Sequence, residues 1–96
     1  MKLATWNVNS LKVRLPHVAD WLNSAQPDVL CLQETKLEDK NFPLAEIDAL
    51  GYRAVFSGQK TYNGVALISK SEAVDVVNAI PNFEDEQKRI LAATFN

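Results

Sequence analysis

The spacing of apolar and polar positions changes period several times along the chain, and each change marks an element. From Lys2 to Asn9, Leu3, Thr5 and Asn7 alternate with Ala4, Trp6 and Val8, the two-residue period of a strand. This strand closes on the polar run Asn7-Val8-Asn9-Ser10. Leu15, Val18, Leu22 and Ala25 then recur at intervals of three and four. With Pro16 at a first helical position, the spacing predicts a helix to about Ala25, ended by Pro27. Asp28 to about Gln33 follows at once, and Val29, Leu30, Cys31 and Leu32 form a continuous apolar run suited to a strand covered on both faces. Strand, helix, strand in this order favours a crossover between two parallel neighbours of one sheet.

Lys36 to Asn41 reads as a charged loop. Phe42-Pro43 opens a short helix carrying Leu44, Ile47 and Leu50, with Gly51 placed to cap it. Tyr52 to Ser57 and Gly64 to Ser69 are the next strands, joined as a hairpin by the six turn-forming residues Gly58 to Asn63. Ala73 to Asn78 and Arg89 to Phe95 are further strand candidates, separated by Pro81 and the charged run Glu84 to Lys88. Two helices and about six strands predict a mixed α/β sheet in a single partial domain over residues 1–96. The chain stops at Thr94-Phe95-Asn96, straight after an apolar strand, so several strands are expected to need partners not encoded here.

Composition narrows this picture. At 47% hydrophobic and 23% charged residues the chain is globular, which excludes disordered and collagen-like classes. No apolar run approaches the roughly 20 residues that span a bilayer, and Met1-Lys2-Leu3-Ala4-Thr5-Trp6-Asn7 turns polar too early for a signal peptide. The expectation is a cytoplasmic protein with no membrane partner. Cys31 is the single cysteine, so no internal disulfide forms, and its place in an apolar strand predicts a small buried hydrophobe. A net charge of −2 gives no global basic footprint, so any nucleic-acid surface must be local. The stretch from Ser71 to Glu86 carries Glu72, Asp75, Glu84, Asp85 and Glu86 with no base, and is not expected to face phosphates.

Asn7 and Glu34 stand at equivalent polar ends of the two strands predicted to be parallel, which brings an amide oxygen and a carboxylate to one sheet edge. Polar groups at strand ends are where layered α/β proteins gather function. Such oxygen ligands suit Mg²⁺ or Mn²⁺, and Mg²⁺ commonly takes only one or two protein carboxylates beside waters and substrate phosphates. Spacing alone favours the plainer alternative, a solvated glutamate after a strand and a turn-forming asparagine.

Three motifs in order change that balance: Thr5-Trp6-Asn7-Val8-Asn9-Ser10-Leu11, Gln26-Pro27-Asp28-Val29-Leu30-Cys31-Leu32-Gln33-Glu34-Thr35-Lys36, and Gly58-Gln59-Lys60-Thr61-Tyr62-Asn63-Gly64-Val65-Ala66-Leu67. Joined by Phe42-Pro43-Leu44 and Lys88-Arg89-Ile90, they resemble the N-terminal portion of the bacterial exodeoxyribonuclease III family. That family belongs to the endonuclease/exonuclease/phosphatase superfamily, with the apurinic/apyrimidinic endonucleases. The resemblance implies the N-terminal half of a four-layer α/β sandwich. It also implies Mg²⁺-assisted (or Mn²⁺-assisted) hydrolysis of DNA phosphodiesters, as a 3′–5′ exonuclease on duplex DNA and an abasic-site endonuclease. Glu34 matches the metal-binding glutamate and Asn7 the asparagine beside the metal or its water, which makes these two the candidate catalytic and metal residues. Asn9 falls where some relatives carry a metal-linked aspartate.

The same resemblance assigns DNA contacts to Asn9, to Lys12 and Arg14 in the loop after the first motif, and to Lys60, Tyr62, Asn63 and Gly64 in the hairpin loop. Lys36, two residues after Glu34, emerges on the same side if extended geometry continues, to touch Glu34 or a phosphate. For Lys12 and Lys60 an ordinary solvated lysine, and for Tyr62 packing over the hairpin, stand as equal alternatives. Arg89 matches a position where relatives often carry arginine, but a surface role beside its charged neighbours is preferred. His17 is expected on the surface of the first helix, and Trp6 and Trp21 in the core. The family's remaining machinery, a tyrosine, an Asp-x-Asn pair, a further aspartate and an Asp-His pair, has no counterpart in the sequence. The 96 residues alone are therefore expected to be inactive, either a part completed by a missing C-terminal half or a non-catalytic fragment or binding module. A superfamily phosphoesterase with a non-DNA substrate, such as an inositide or sphingomyelin, is a further alternative.

Overall fold

The computed structural model describes residues 2–58, 63–71, 73–77 and 92–95. In chain order the elements are β1 (Leu3–Asn7), α1 (Leu11–Ala25), β2 (Val29–Gln33), a 3₁₀ turn (Asp39–Asn41), α2 (Leu44–Ala49), β3 (Arg53–Ser57), β4 (Val65–Ser69), β5 (Ala73–Val77) and β6 (Ala92–Phe95). β1 to β4 form a mixed sheet in the order β1-β2-β4-β3. β1 and β2 are parallel, as the crossover through α1 requires, whereas β4 runs antiparallel to both β2 and β3. β5 and β6 pair antiparallel in a separate two-stranded sheet, so these two strands are each other's partners.

The pleat sends alternate residues to opposite faces. Ala4 and Trp6, Leu30 and Leu32, Ala66 and Ile68, and Ala54 and Phe56 fall on one face. They join Leu11, Val18 and Leu22 of α1 and Ile47 of α2 in the core. Trp6 meets Trp21 edge to face, with ring centroids 6.4 Å apart, and Phe42 stacks on Phe56. Tyr52, buried below α2, donates its hydroxyl to the Pro27 carbonyl at 3.0 Å.

Two expectations are corrected here. α1 begins at Leu11, so Pro16 is its sixth residue and not its first. The start is set by the sheet edge, where the N–H groups of Ser10 and Leu11 bond the carbonyls of Glu34 and Thr35, and Arg14 then donates to Ser10. Pro16 leaves the Lys12 carbonyl without its usual i+4 donor, a defect tolerated near a helix start. Cys31 is half-buried, because it points to the face opposite the helices while its neighbours Leu30 and Leu32 are buried. The other elements lie within a few residues of expectation, and Gly51, at φ 85°, follows α2 as its cap.

Candidate active site

Three chain segments converge at the edge of the sheet where β1 and β2 end and β4 begins. Val8 N–H donates to the Gln33 carbonyl at 3.0 Å, and Ser10 N–H to Glu34 at 2.8 Å. From the other side, Thr35 N–H reaches the Gly64 carbonyl at 3.2 Å and Lys36 N–H the Asn63 carbonyl at 2.8 Å. The turn after β2 is thus tied by its main chain both to the entry of α1 and to the foot of the hairpin loop.

These ties hold the backbone in conformations that side chains seldom adopt. Six non-glycine residues have positive φ among the described residues, and five of them sit here: Asn9 (46°), Ser10 (96°), Glu34 (54°), Lys36 (57°) and Asn63 (52°). Asn9 and Asn63 tolerate this region well, whereas for Ser10, Glu34 and Lys36 it costs on the order of 1–2 kcal/mol each, and such strain concentrates where a site over-determines its geometry. The sixth, Gln26, caps α1.

Gly64 and Gly58 frame the hairpin loop and admit no side chain. At Gly64 (φ 93°) a Cβ would collide with Thr35 Oγ1 and lie 3.2 Å from the Lys36 nitrogen. At Gly58 it would run into the Leu37 carbonyl, and the Gly58 N–H donates to Asp39 Oδ1 at 2.8 Å.

Asn7 and Glu34 are in direct contact. The Asn7 amide nitrogen donates to Glu34 Oε2, while Asn7 Oδ1 accepts the Asn9 N–H at 3.1 Å. Exchanging the amide's ends would set oxygen against carboxylate and NH₂ against N–H, so the network dictates this orientation. Glu34 Oε1 lies 3.9 Å from Lys36 Nζ, which donates to Asn9 Oδ1 at 2.5 Å. Lys36 gets there from a left-handed backbone; the extended continuation expected after β2 does not occur, because Glu34 and Lys36 are both turned to meet the neighbouring loops. Lys12 and Arg14 are exposed on the first turn of α1, a correction to their expected loop position. Gly64 is buried against Thr35. Lys60, Tyr62 and Arg89 lie outside the described residues. His17 is exposed on α1.

Two residues of the site do not stand out in the sequence: Thr35, whose side chain is buried and packs under Gly64, and Asp39, which holds the loop's first residue. A signal was present: two of only three glycines in the chain bracket one loop.

Among the described residues no three His, Cys, Asp or Glu side chains cluster as a metal site. The donor chemistry nonetheless fits a divalent cation bound partly by substrate and water. Glu34 offers a carboxylate oriented by Asn7 and 43% exposed, and Asn7 Oδ1 keeps a second lone pair.

The mixed sheet, with Asn7, Glu34 and Asn63-Gly64 brought to one edge, goes with a class of protein: residues 4–95 match the Endonuclease/Exonuclease/phosphatase family, and the chain belongs to that family. Among its relatives is the DNA repair nuclease APEX1 of Danio rerio, 35% identical over 102 residues that cover 99% of this chain and 33% of that protein. The chain is 39% identical over 94 residues to exodeoxyribonuclease III of Haemophilus influenzae, covering 97% of this chain and 35% of that protein. The fold matches a 3′ phosphatase from Neisseria bound to a product DNA hairpin, with a TM-score of 0.96 and 51% identity over 99% of this chain and 37% of that one. It also matches an AP endonuclease from Archaeoglobus fulgidus, with a TM-score of 0.95 and 43% identity, covering 99% of this chain and 37% of that one. The chain thus spans about a third of the length of the curated relatives it matches. No helix among the described residues is long and apolar enough to cross a membrane.

Proposed function

We propose that this chain supplies the Glu34 half of the active site of a Mg²⁺-dependent DNA-repair nuclease of the exodeoxyribonuclease III type. Such an enzyme hydrolyses phosphodiesters at 3′ ends and abasic sites of duplex DNA, in the cytoplasm. The observation that carries this reading is the Asn7–Glu34 contact at the sheet edge where five positive-φ residues and three chain segments meet. Glu34 would hold Mg²⁺ (or Mn²⁺) with Asn7 positioning its carboxylate, and the ion would offset phosphate charge and favour hydroxide at neutral pH. Asn9, Lys12, Arg14, Lys36, Asn63 and Gly64, with Lys60 and Tyr62 of the hairpin loop, would contact the DNA backbone around it. Residues 1–96 constitute a single partial domain in this proposal. They would not turn over DNA by themselves, because among the described residues no three His, Cys, Asp or Glu side chains gather to share metal binding and proton transfer.

The test uses the intact protein and an abasic duplex. Incision should require Mg²⁺, and Glu34→Gln should lower kcat by at least about 10²-fold, the scale of losing a group that acts on the transition state. Full activity of Glu34→Gln would remove the carboxylate from the site. Faster turnover of a phosphoinositide than of DNA would move the substrate class, and incision by residues 1–96 alone would refute the need for further groups.

A further inference from the structure

We infer that Lys36 is a built-in counter-ion of Glu34 that releases the carboxylate when a divalent cation binds and is then free to serve a DNA phosphate. This rests on the metal-site reading of Glu34 above. Asn7 occupies Glu34 Oε2, and Lys36 Nζ stands 3.9 Å from Oε1, on the oxygen left for a cation. The ammonium is steered there by Asn9 Oδ1, at 2.5 Å, and by the main-chain bond from Lys36 to Asn63. Asn9 is a neutral amide, so it orients Lys36 without neutralising it, and Glu34 is the carboxylate within ion-pair distance.

A separation of 3.9 Å between side chains 30% and 43% exposed is the loose end of an ion pair, weak enough to be exchanged. An ammonium and a doubly charged ion sharing one carboxylate repel each other, so each arrival favours the other's departure. Lys36 therefore keeps Glu34 compensated while no cation is bound and lowers cation affinity. Once displaced, its four-carbon stem lets the ammonium turn from Glu34 to a phosphate oxygen.

The test measures Mn²⁺ affinity of the intact protein without DNA, so its readout is independent of turnover. Lys36→Met should tighten Mn²⁺ binding by roughly two- to tenfold, the scale of an exposed pair acting on a double charge. Lys70→Met, which removes the same charge at the opposite end of the sheet, should leave it unchanged. Glu34→Gln should weaken it. Binding to a phosphorothioate duplex that resists cleavage then tests the handover: the penalty of Lys36→Met should be larger with Mn²⁺ than with EDTA, and the salt slope should fall by about one only with Mn²⁺. Unchanged or weaker Mn²⁺ binding by Lys36→Met, with Glu34→Gln still defective, would overturn the counter-ion role and leave the metal site standing. Normal Mn²⁺ binding by Glu34→Gln would overturn both. Equal DNA penalties with Mn²⁺ and EDTA would overturn the handover.

Discussion

Gly64→Ala isolates the close approach on which the site depends. The alanine would have to adopt φ 93°, at a cost of about 1–2 kcal/mol for an L-residue in the left-handed region. Its Cβ would also press on Thr35 Oγ1, inside a position only 2% exposed, and overpacking of this kind costs about 1–3 kcal/mol. The sum is about 2–5 kcal/mol, divided between a backbone part and a steric part. Thr35→Ala deletes the atom that is struck, so the double variant should recover the steric part and keep the backbone part. Urea unfolding of the wild type, both single variants and the double variant closes the cycle, with an expected coupling of about 1–3 kcal/mol in favour of the double variant. Any structure that survives Gly64→Ala must shift Thr35 and Lys36, the residues after Glu34, so Mn²⁺ binding should weaken as well. A coupling energy within about 0.5 kcal/mol of zero would mean that Gly64 and Thr35 do not meet, and would overturn the close approach described here.

Leu30, fully buried in the central strand β2, should cost about 2–5 kcal/mol when cut to alanine, and a loss below 1 kcal/mol on urea unfolding would argue against the core described above. Tyr52→Phe should cost about 0.5–1.5 kcal/mol by removing the hydroxyl bond to Pro27. Burial, and then the negative charge of Asp28, push the Tyr52 phenol above its ordinary value near 10. Its contribution is therefore complete below pH 10 and lost as the pH climbs toward the raised value, so stability measured across pH 9–11 should fall more steeply in wild type than in Tyr52→Phe. Equal slopes would contradict that placement. Burial likewise pushes the Cys31 thiol up, so its alkylation at pH 7 should be slower than that of an unfolded cysteine peptide, and an equal rate would show Cys31 to be open to solvent.

Much of the fold was legible because it follows from period and punctuation. The alternation in β1, the three-and-four spacing of Leu15, Val18 and Leu22, and Gly51 after Ile47 all describe local geometry that the chain adopts. The start of α1 was not, since it is set by hydrogen bonds to Glu34 and Thr35, residues far away in sequence, which override the usual preference of Pro16 for a first turn. The pairing of Asn7 with Glu34 was legible in outline, because parallel strands bring equivalent ends together. Its detail was not: the amide nitrogen, not its oxygen, faces the carboxylate, an outcome fixed by the Asn9 N–H two residues on. Nor does local sequence announce that Lys36 reaches Glu34 through left-handed backbone, because that conformation comes from Asn63 and Gly64 across the sheet.

Direct location of a bound cation bears most heavily on the account. Crystals of the intact protein soaked in Mn²⁺ should give an anomalous peak within about 2.0–2.3 Å of a Glu34 carboxylate oxygen, as expected for an octahedral oxygen site, and Glu34→Gln should lose it. A peak elsewhere with Glu34 unliganded, or one that persists unchanged in Glu34→Gln, would contradict the assignment of this carboxylate to the metal.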